Sequence, residues 1–171
     1  MAYSAEAIRK EKARRLRGEP PPSLPPEFAE YLRGKRVIIV GPAGYLEGSR
    51  RGEWIDSHDV VVRLNWGTPV PDGMQDDYGA RTDVLYKRLL KLGILDRIDV
   101  DEFEAAGVQW IVAAVGGQKD GNAHHLEEMV GGRIPYFLET STRSELRRAM
   151  GNNPLVGMMA IAHLLKFEIE S

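Results

Sequence analysis

An open, mostly parallel α/β sheet with helices on both faces is the fold this sequence predicts, and three observations carry the prediction. The chain has 171 residues, 43% hydrophobic and 28% charged. That suffices for one domain burying roughly 70% of the surface its unfolded chain exposes. Continuous β-branched or apolar runs recur along it in place of alternating ones, as strands covered on both faces require. Stretches of helical character separate or follow those runs, the order that builds crossovers between parallel strands.

Residues 4–17 are good helix formers with a basic balance, Arg9, Lys10, Lys12, Arg14, Arg15 and Arg17 against Glu6 and Glu11. Ala5, Ile8 and Leu16 give only a thin apolar stripe, which suits a docked surface helix or a frayed arm. Half of the ten prolines follow in EPPPSLPPE, residues 19–27, a stretch held extended and barred from a sheet interior. Residues 1–33 therefore read as an N-terminal helix and proline-rich linker, and residues 34–171 as the α/β domain, with packing expected from about Phe28.

Arg36-Val-Ile-Ile-Val-Gly41 is the first strand, ended by glycine. Asp59-Val-Val-Val-Arg-Leu64, Thr82-Asp-Val-Leu-Tyr86 and Val108-Gln-Trp-Ile-Val-Ala-Ala-Val115 are the next three. Helices are expected over residues 87–95, 101–106, 123–130, 141–150 and 154–167. The last of these has Asn153 as its N-cap, Pro154 at its first position, and Leu155, Met158, Met159, Ala162 and Leu165 on one face.

Charge and composition exclude several classes. With 23 basic against 25 acidic side chains the net charge is −2, so no overall field attracts nucleic acid. The sequence holds no cysteine, which removes disulfides, thiolate nucleophiles and cysteine-ligated zinc. No apolar run approaches the roughly 20 residues a membrane span needs. The first residues carry charges with no apolar core behind them, unlike a secretory signal, and a cytoplasmic protein of a microbe or virus is expected.

The residues that could carry chemistry are few. Gly41-Pro42-Ala43-Gly44 follows the first strand, where a turn without bulky side chains lets a phosphate or ribose approach the backbone at the carboxyl edge of a sheet; a plain strand-to-helix turn uses the same residues. A dinucleotide site is disfavoured, because G-x-G-x-x-G is absent and the second strand runs into Asn65 where an acidic ribose ligand would stand. Gly157 lies one turn into the last helix, whose free N–H groups would face a ligand, although capping and packing explain the same pattern. Asp99-Val-Asp101 has the spacing of a metal-binding pair, but Asp101 with Glu104 is equally a capping pair. His124 and His125, with Glu127 and Glu128, point in different directions on a helix and read as an exposed polar turn. No metal site is expected.

Val37-Ile-Ile-Val-Gly-Pro-Ala-Gly-Tyr-Leu-Glu-Gly-Ser49, then Gly52-Glu-Trp-Ile-Asp-Ser-His-Asp-Val-Val-Val-Arg-Leu-Asn65 and Asp77-Tyr-Gly-Ala-Arg-Thr82, resemble the large sialylmotif of animal-type sialyltransferases. Asn153-Pro-Leu-Val-Gly-Met-Met-Ala-Ile-Ala-His-Leu-Leu165 is similar to the small sialylmotif. The resemblance implies a Rossmann-like domain, a variant of the glycosyltransferase A-type fold, that binds CMP-sialic acid or a related CMP-sugar between the two motifs. It implies inverting transfer to a glycan hydroxyl, with no cofactor beyond the donor and no metal, so the partners are a nucleotide sugar and a glycan acceptor. By the same resemblance Gly41, Pro42, Ala43 and Gly44 would face ribose and phosphate, Asn65 would hydrogen-bond the nucleotide, and Gly157 would lie beside the donor. Arg63, Asp56 and His58 would organise the fold.

Three departures accompany the resemblance. Pro42-Ala43 stands where the family has Asn-Ser, and Leu155-Val156 where it has a hydroxyl pair, which deletes side-chain donors. Val37 stands where the family has a cysteine. Past the small motif the family supplies its general base from a short H-x-x-x-x-E motif, for which no match is read here, and His163 reads as a packed histidine, so the catalytic residue is left unassigned. A nucleotide- or glycan-binding module without activity is the alternative from a different class, and an unrelated Rossmann-like enzyme with another nucleotide is a third.

Overall fold

The computed structural model describes residues 24–65, 67–88, 103, 105–114, 136–138 and 140–170. Helix α1 (Pro26–Leu32) leads into β1 (Val37–Val40) and a single 3₁₀ turn (Gly44–Leu46). Then come α2 (Gly52–Asp56), β2 (Val60–Leu64), α3 (Gln75–Tyr78), β3 (Val84–Lys87), β4 (Trp110–Ala113), β5 (Tyr136–Phe137), α4 (Thr140–Met150) and α5 (Val156–Leu164). Among the described residues five strands form one sheet in sequence order, every neighbouring pair parallel. All carboxyl ends therefore share one edge.

The apolar runs become strands because both faces are covered. Along β2, Val60, Val62 and Leu64 join a core completed by Phe28 and Leu32 of α1 and by Val156, Met159, Ala160 and Leu164 of α5. Val61, between them, points to the opposite face and packs with Val40 and with Ile55 of α2, as the two-residue period of a strand requires. Helices on both faces of an open parallel sheet are thus the observed architecture. At the amino end of β1 the segment after α5 lies alongside, with the Gly34 N–H donating to the Glu168 carbonyl at 2.7 Å and the Glu170 N–H to the Lys35 carbonyl at 2.9 Å.

Several expectations need correction. The domain takes in residues before 34, because Phe28 and Leu32 are fully buried in the core. The proline stretch ends by starting a helix, with Pro26 at the first position, where its missing N–H has no intrahelical partner to lose. The helix expected from residue 87 does not begin there, since Lys87 closes β3. The final helix starts two residues later than expected, so neither Asn153 nor Pro154 opens it. Pro154 is buried, and Leu155, extended at φ −74°, ψ 160°, takes the cap position without a side-chain cap bond.

The buried face of α5 also differs from the expected one. Val156, Met159, Ala160, His163 and Leu164 are buried, whereas Leu155, Met158, Ile161 and Leu165 are exposed. The helix is apolar all round, so periodicity could not choose its inner face. Residues 4–17, most of 87–95 and 101–106, Asp99, Asp101 and the histidines in 123–130 lie outside the described residues.

Candidate active site

The register brings the separate motifs to one place. Val40 is paired with Arg63, so Gly41 follows at the carboxyl edge beside the end of β2. A Cβ built on Gly157 would lie 3.3 Å from Cδ1 of Leu64, which sets the first turn of α5 against the same strand end. Gly41, Asn65 and Gly157 are therefore assembled around the last residues of β2.

Asn65 ends that strand in the left-handed region, at φ 51°, which asparagine tolerates better than most residues. Its N–H donates to the Tyr86 carbonyl at 2.8 Å. Its side-chain oxygen accepts the Arg88 N–H at 3.0 Å. A backbone donor demands an oxygen at that position, so the amide orientation is fixed and the NH2 is the end that points away from this bond. Gly41 and Gly44 have no left-handed φ, and a Cβ on either would meet nothing within 4 Å. Pro42 and Ala43 are exposed and bring no side-chain donor, so this turn can meet a ligand only through its backbone. At the start of α5, Leu155 and Val156 likewise leave only backbone N–H groups.

A polar strap beneath the edge holds these pieces. The Arg63 guanidinium, 1% exposed, donates to the carbonyls of Tyr78 at 2.7 Å, Arg81 at 2.9 Å and Gly79 at 3.1 Å. Burial pulls its pKa below the ordinary arginine value, and Asp56 opposes that shift. The Asp56 carboxylate accepts the N–H groups of Ala80 at 2.7 Å and Arg81 at 3.1 Å. Arg81 donates to the carbonyls of Asp56 at 2.7 Å and His58 at 2.9 Å and to the Asp83 carboxylate at 3.0 Å. Above this layer, Asp77 accepts the N–H groups of Gly48 at 2.7 Å and Arg50 at 2.8 Å. Those two bonds, the Arg50 one first, hold its pKa below the usual carboxylate value. The Tyr78 hydroxyl donates to the Ala43 carbonyl at 3.3 Å, fastening the glycine turn itself.

Both described histidines are taken up by packing. His58 turns Nδ1 toward the Trp54 carbonyl at 3.0 Å and the Ile55 carbonyl at 3.2 Å, which makes that nitrogen the donor. His163, 4% exposed, places Nδ1 2.7 Å from the Tyr86 hydroxyl and meets Phe28 and Phe167 ring to ring. One sequence reading needs amendment: the spacing H-x-x-x-x-E does occur, at His163 and Glu168. It overlaps the small motif instead of following it, and Glu168 is exposed beside Arg33 at 3.5 Å, so the pair shares a spacing with the family's base motif and no common site. Among the described residues no cluster of three metal-ligating side chains occurs, and Asp99, Asp101, His124 and His125 lie outside them.

Sequence reasoning missed Tyr45, exposed at the lip of the turn, and the whole carbonyl network of Arg63. The first stands alone in its pattern. The second uses backbone acceptors, which leave no mark on a sequence.

Comparison with known proteins supports the resemblance. Residues 6–88 match the model of glycosyltransferase family 29 (sialyltransferase). A mouse CMP-N-acetylneuraminate-beta-galactosamide-alpha-2,3-sialyltransferase 1 is 33% identical over 98 residues, which are 55% of this chain and 28% of that protein. The human alpha-N-acetylgalactosaminide alpha-2,6-sialyltransferase 2 is 41% identical over 63 residues, 37% of this chain and 15% of that one. The match thus spans less than a third of the length of these relatives. The crystal structure of a mammalian sialyltransferase has the same fold, with a TM-score of 0.55 at 18% identity over 95% of this chain and 68% of that one. No helix among the described residues is long and apolar enough to cross a membrane.

The expectation of a cytoplasmic microbial or viral protein is overturned, because the matched relatives are animal sialyltransferases, from mouse and chicken among others. That expectation rested on missing cysteines and a missing apolar leader. The first shows only that no disulfide forms, and neither assigns a compartment. With the family model spanning both the glycine turn and Asn65, and the same fold around them, the chain is similar in this region to the animal sialyltransferases of glycosyltransferase family 29.

Proposed function

We propose that the chain binds a CMP-sugar, CMP-sialic acid or a close analogue, at the carboxyl edge of β1 and β2, and serves sugar transfer to a glycan hydroxyl. The observation that carries this reading is the convergence of the Gly41–Gly44 turn, Asn65 and Gly157 on one strand end. Backbone N–H groups at the start of α5 suit a phosphate. The Asn65 NH2 suits an acceptor atom on the nucleotide. The open backbone at Gly41 and Gly44 suits close approach of ribose and phosphate.

Transfer would be a single displacement with inversion. The acceptor oxygen bonds to the anomeric carbon, the bond to the CMP oxygen breaks with its electron pair leaving on phosphate, and the hydroxyl proton passes to a base. No resident metal is invoked. Neither described histidine is placed to be that base, which favours the second reading, a nucleotide- or glycan-binding module without turnover. Titration calorimetry tests the site: CMP should bind better than AMP or NAD, and Asn65→Asp, which keeps the oxygen for Arg88 and removes the NH2, should abolish the preference. CMP bound no better than AMP would reject the assignment. Enzyme-dependent release of CMP from CMP-sialic acid in the presence of a glycan acceptor separates the two readings.

A further inference from the structure

The turn that has lost its amide and hydroxyl carries an aromatic ring instead. Tyr45 is 93% exposed, on the 3₁₀ turn that follows Gly41-Pro42-Ala43 at the carboxyl edge. An exposed tyrosine is ordinary on a mobile loop. This loop, however, is fastened on every side: Tyr78 holds the Ala43 carbonyl, Asp77 holds the N–H groups of Gly48 and Arg50, and the Ser49 N–H donates to the Leu46 carbonyl at 2.9 Å. Leu46, the next residue, packs into the core around Val40, Ile55 and Val61. A 3₁₀ turn rotates successive side chains by a third of a circle, so anchoring Leu46 inward keeps Tyr45 outward.

We propose that Tyr45 is the stacking platform for the pyrimidine base of the bound nucleotide. The inference rests on the nucleotide site proposed above and names how that site holds the base. With ribose and phosphate over the open backbone of Gly41 and Gly44, the base, one glycosidic bond away, would be within reach of the adjoining Tyr45. A ring on a pre-fastened loop costs little further ordering, since tyrosine has only two side-chain torsions. Stacking is indifferent to base-edge chemistry, so this contact supplies affinity, while base preference is left to Asn65. It also offsets, in a different chemistry, the hydrogen-bond donors absent at Pro42 and Ala43.

The test is calorimetric titration of the full chain with CMP, UMP and ribose 5-phosphate, using wild type, Tyr45→Phe and Tyr45→Ala. An exposed side chain can be removed without loss of the fold, which circular dichroism would check. Tyr45→Ala should weaken CMP and UMP alike, by about 5- to 100-fold on the usual scale of base stacking, and leave ribose 5-phosphate unchanged. Tyr45→Phe should bind as wild type. Wild type and Tyr45→Ala binding CMP equally would overturn the stacking role and leave the site standing. A parallel loss of ribose 5-phosphate binding would show that the substitution disturbs the turn, and overturn it too. Failure of wild type to bind CMP at all would instead reject the nucleotide site itself.

Discussion

Gly52 and Gly79 belong to the strap beneath the sheet edge, Gly41 and Gly44 to the edge above it, and the two pairs are glycine for opposite reasons. A Cβ on Gly52 would drive into the carbonyl of Gln75 and the backbone of Asp76, where α2 meets α3. Gly79 sits at φ 73°, ψ 162°, a region open essentially to glycine alone, and a Cβ there would lie 2.5 Å from the Asp56 carboxylate. Gly41 and Gly44 have neither constraint. In one region the fold consumes the special residues of the motif. In the other it leaves them unexplained, and an unexplained special residue is where a ligand is best sought.

The sharpest way to break this comparison is to add a methyl group to the strap. Gly52→Ala should cost about 3 kcal/mol or more, because backbone must move on both sides of the contact. Arg63→Leu should cost a similar amount by leaving the carbonyls of Tyr78, Gly79 and Arg81 without their donor, at about 1–3 kcal/mol for each buried one. Against a total stability of about 5–15 kcal/mol, urea unfolding would show either variant as marginal or unfolded. A normal midpoint for both would mean that the strap is dispensable.

Four of the five strands were legible because Val37–Val40, Val60–Leu64, Val84–Lys87 and Trp110–Ala113 draw on continuous apolar runs, a signal that buried parallel strands cannot hide. β5 has two residues and offers no period. Helix α1 was hidden by its prolines, which stiffen a linker and start a helix with equal ease. At the site, Gly41, Asn65 and Gly157 could be named from motif order alone. Their convergence needed the register of β1 on β2. The roles of Asp77 and Arg81 needed the backbone groups they hold.

A smaller loss, about 2–4 kcal/mol, is expected from His163→Ala, which opens a cavity among Phe28, Tyr86 and Phe167 and strands the Tyr86 hydroxyl. CMP affinity of the molecules that remain folded should not change. A variant with normal stability and lost CMP release would move His163 from packing to catalysis.

Asn65 straddles the two regions and sharpens the comparison. Asn65→Ala gives up both the Arg88 bond and a residue tolerant of φ 51°, a stability cost of about 1–2 kcal/mol. Asn65→Asp keeps both. If the side chain serves only the fold, Asp should restore everything that Ala removes. If its NH2 meets the nucleotide, Asp restores thermal stability while the preference for CMP over AMP stays lost.

Acid should loosen the strap from its outer layer first. Asp77 has its folded pKa depressed below the ordinary 3.8 by the N–H groups of Arg50 and Gly48. Its contribution is therefore complete above the unfolded value and disappears as pH falls through the lower folded one. The difference in melting temperature between wild type and Asp77→Asn should be full and constant between pH 7 and about pH 5 and shrink below about pH 4. A difference that persists unchanged at pH 2 would place the stabilisation elsewhere.

The smallest effect on stability is predicted where the comparison began. At Gly41 and Gly44 an added Cβ meets open space at an ordinary φ, so alanine is compatible with the native backbone. Such a substitution restricts the unfolded chain more than it strains the folded one, and Gly41→Ala or Gly44→Ala should leave stability unchanged or raise it by about 0.4–1 kcal/mol. Their effect on binding should run the other way, because the methyl group occupies the side from which ribose and phosphate would approach the backbone. A protein that melts slightly higher and binds CMP more weakly has lost something the fold never needed. Unchanged CMP affinity in both variants would make these glycines an ordinary turn and take the nucleotide away from this part of the edge.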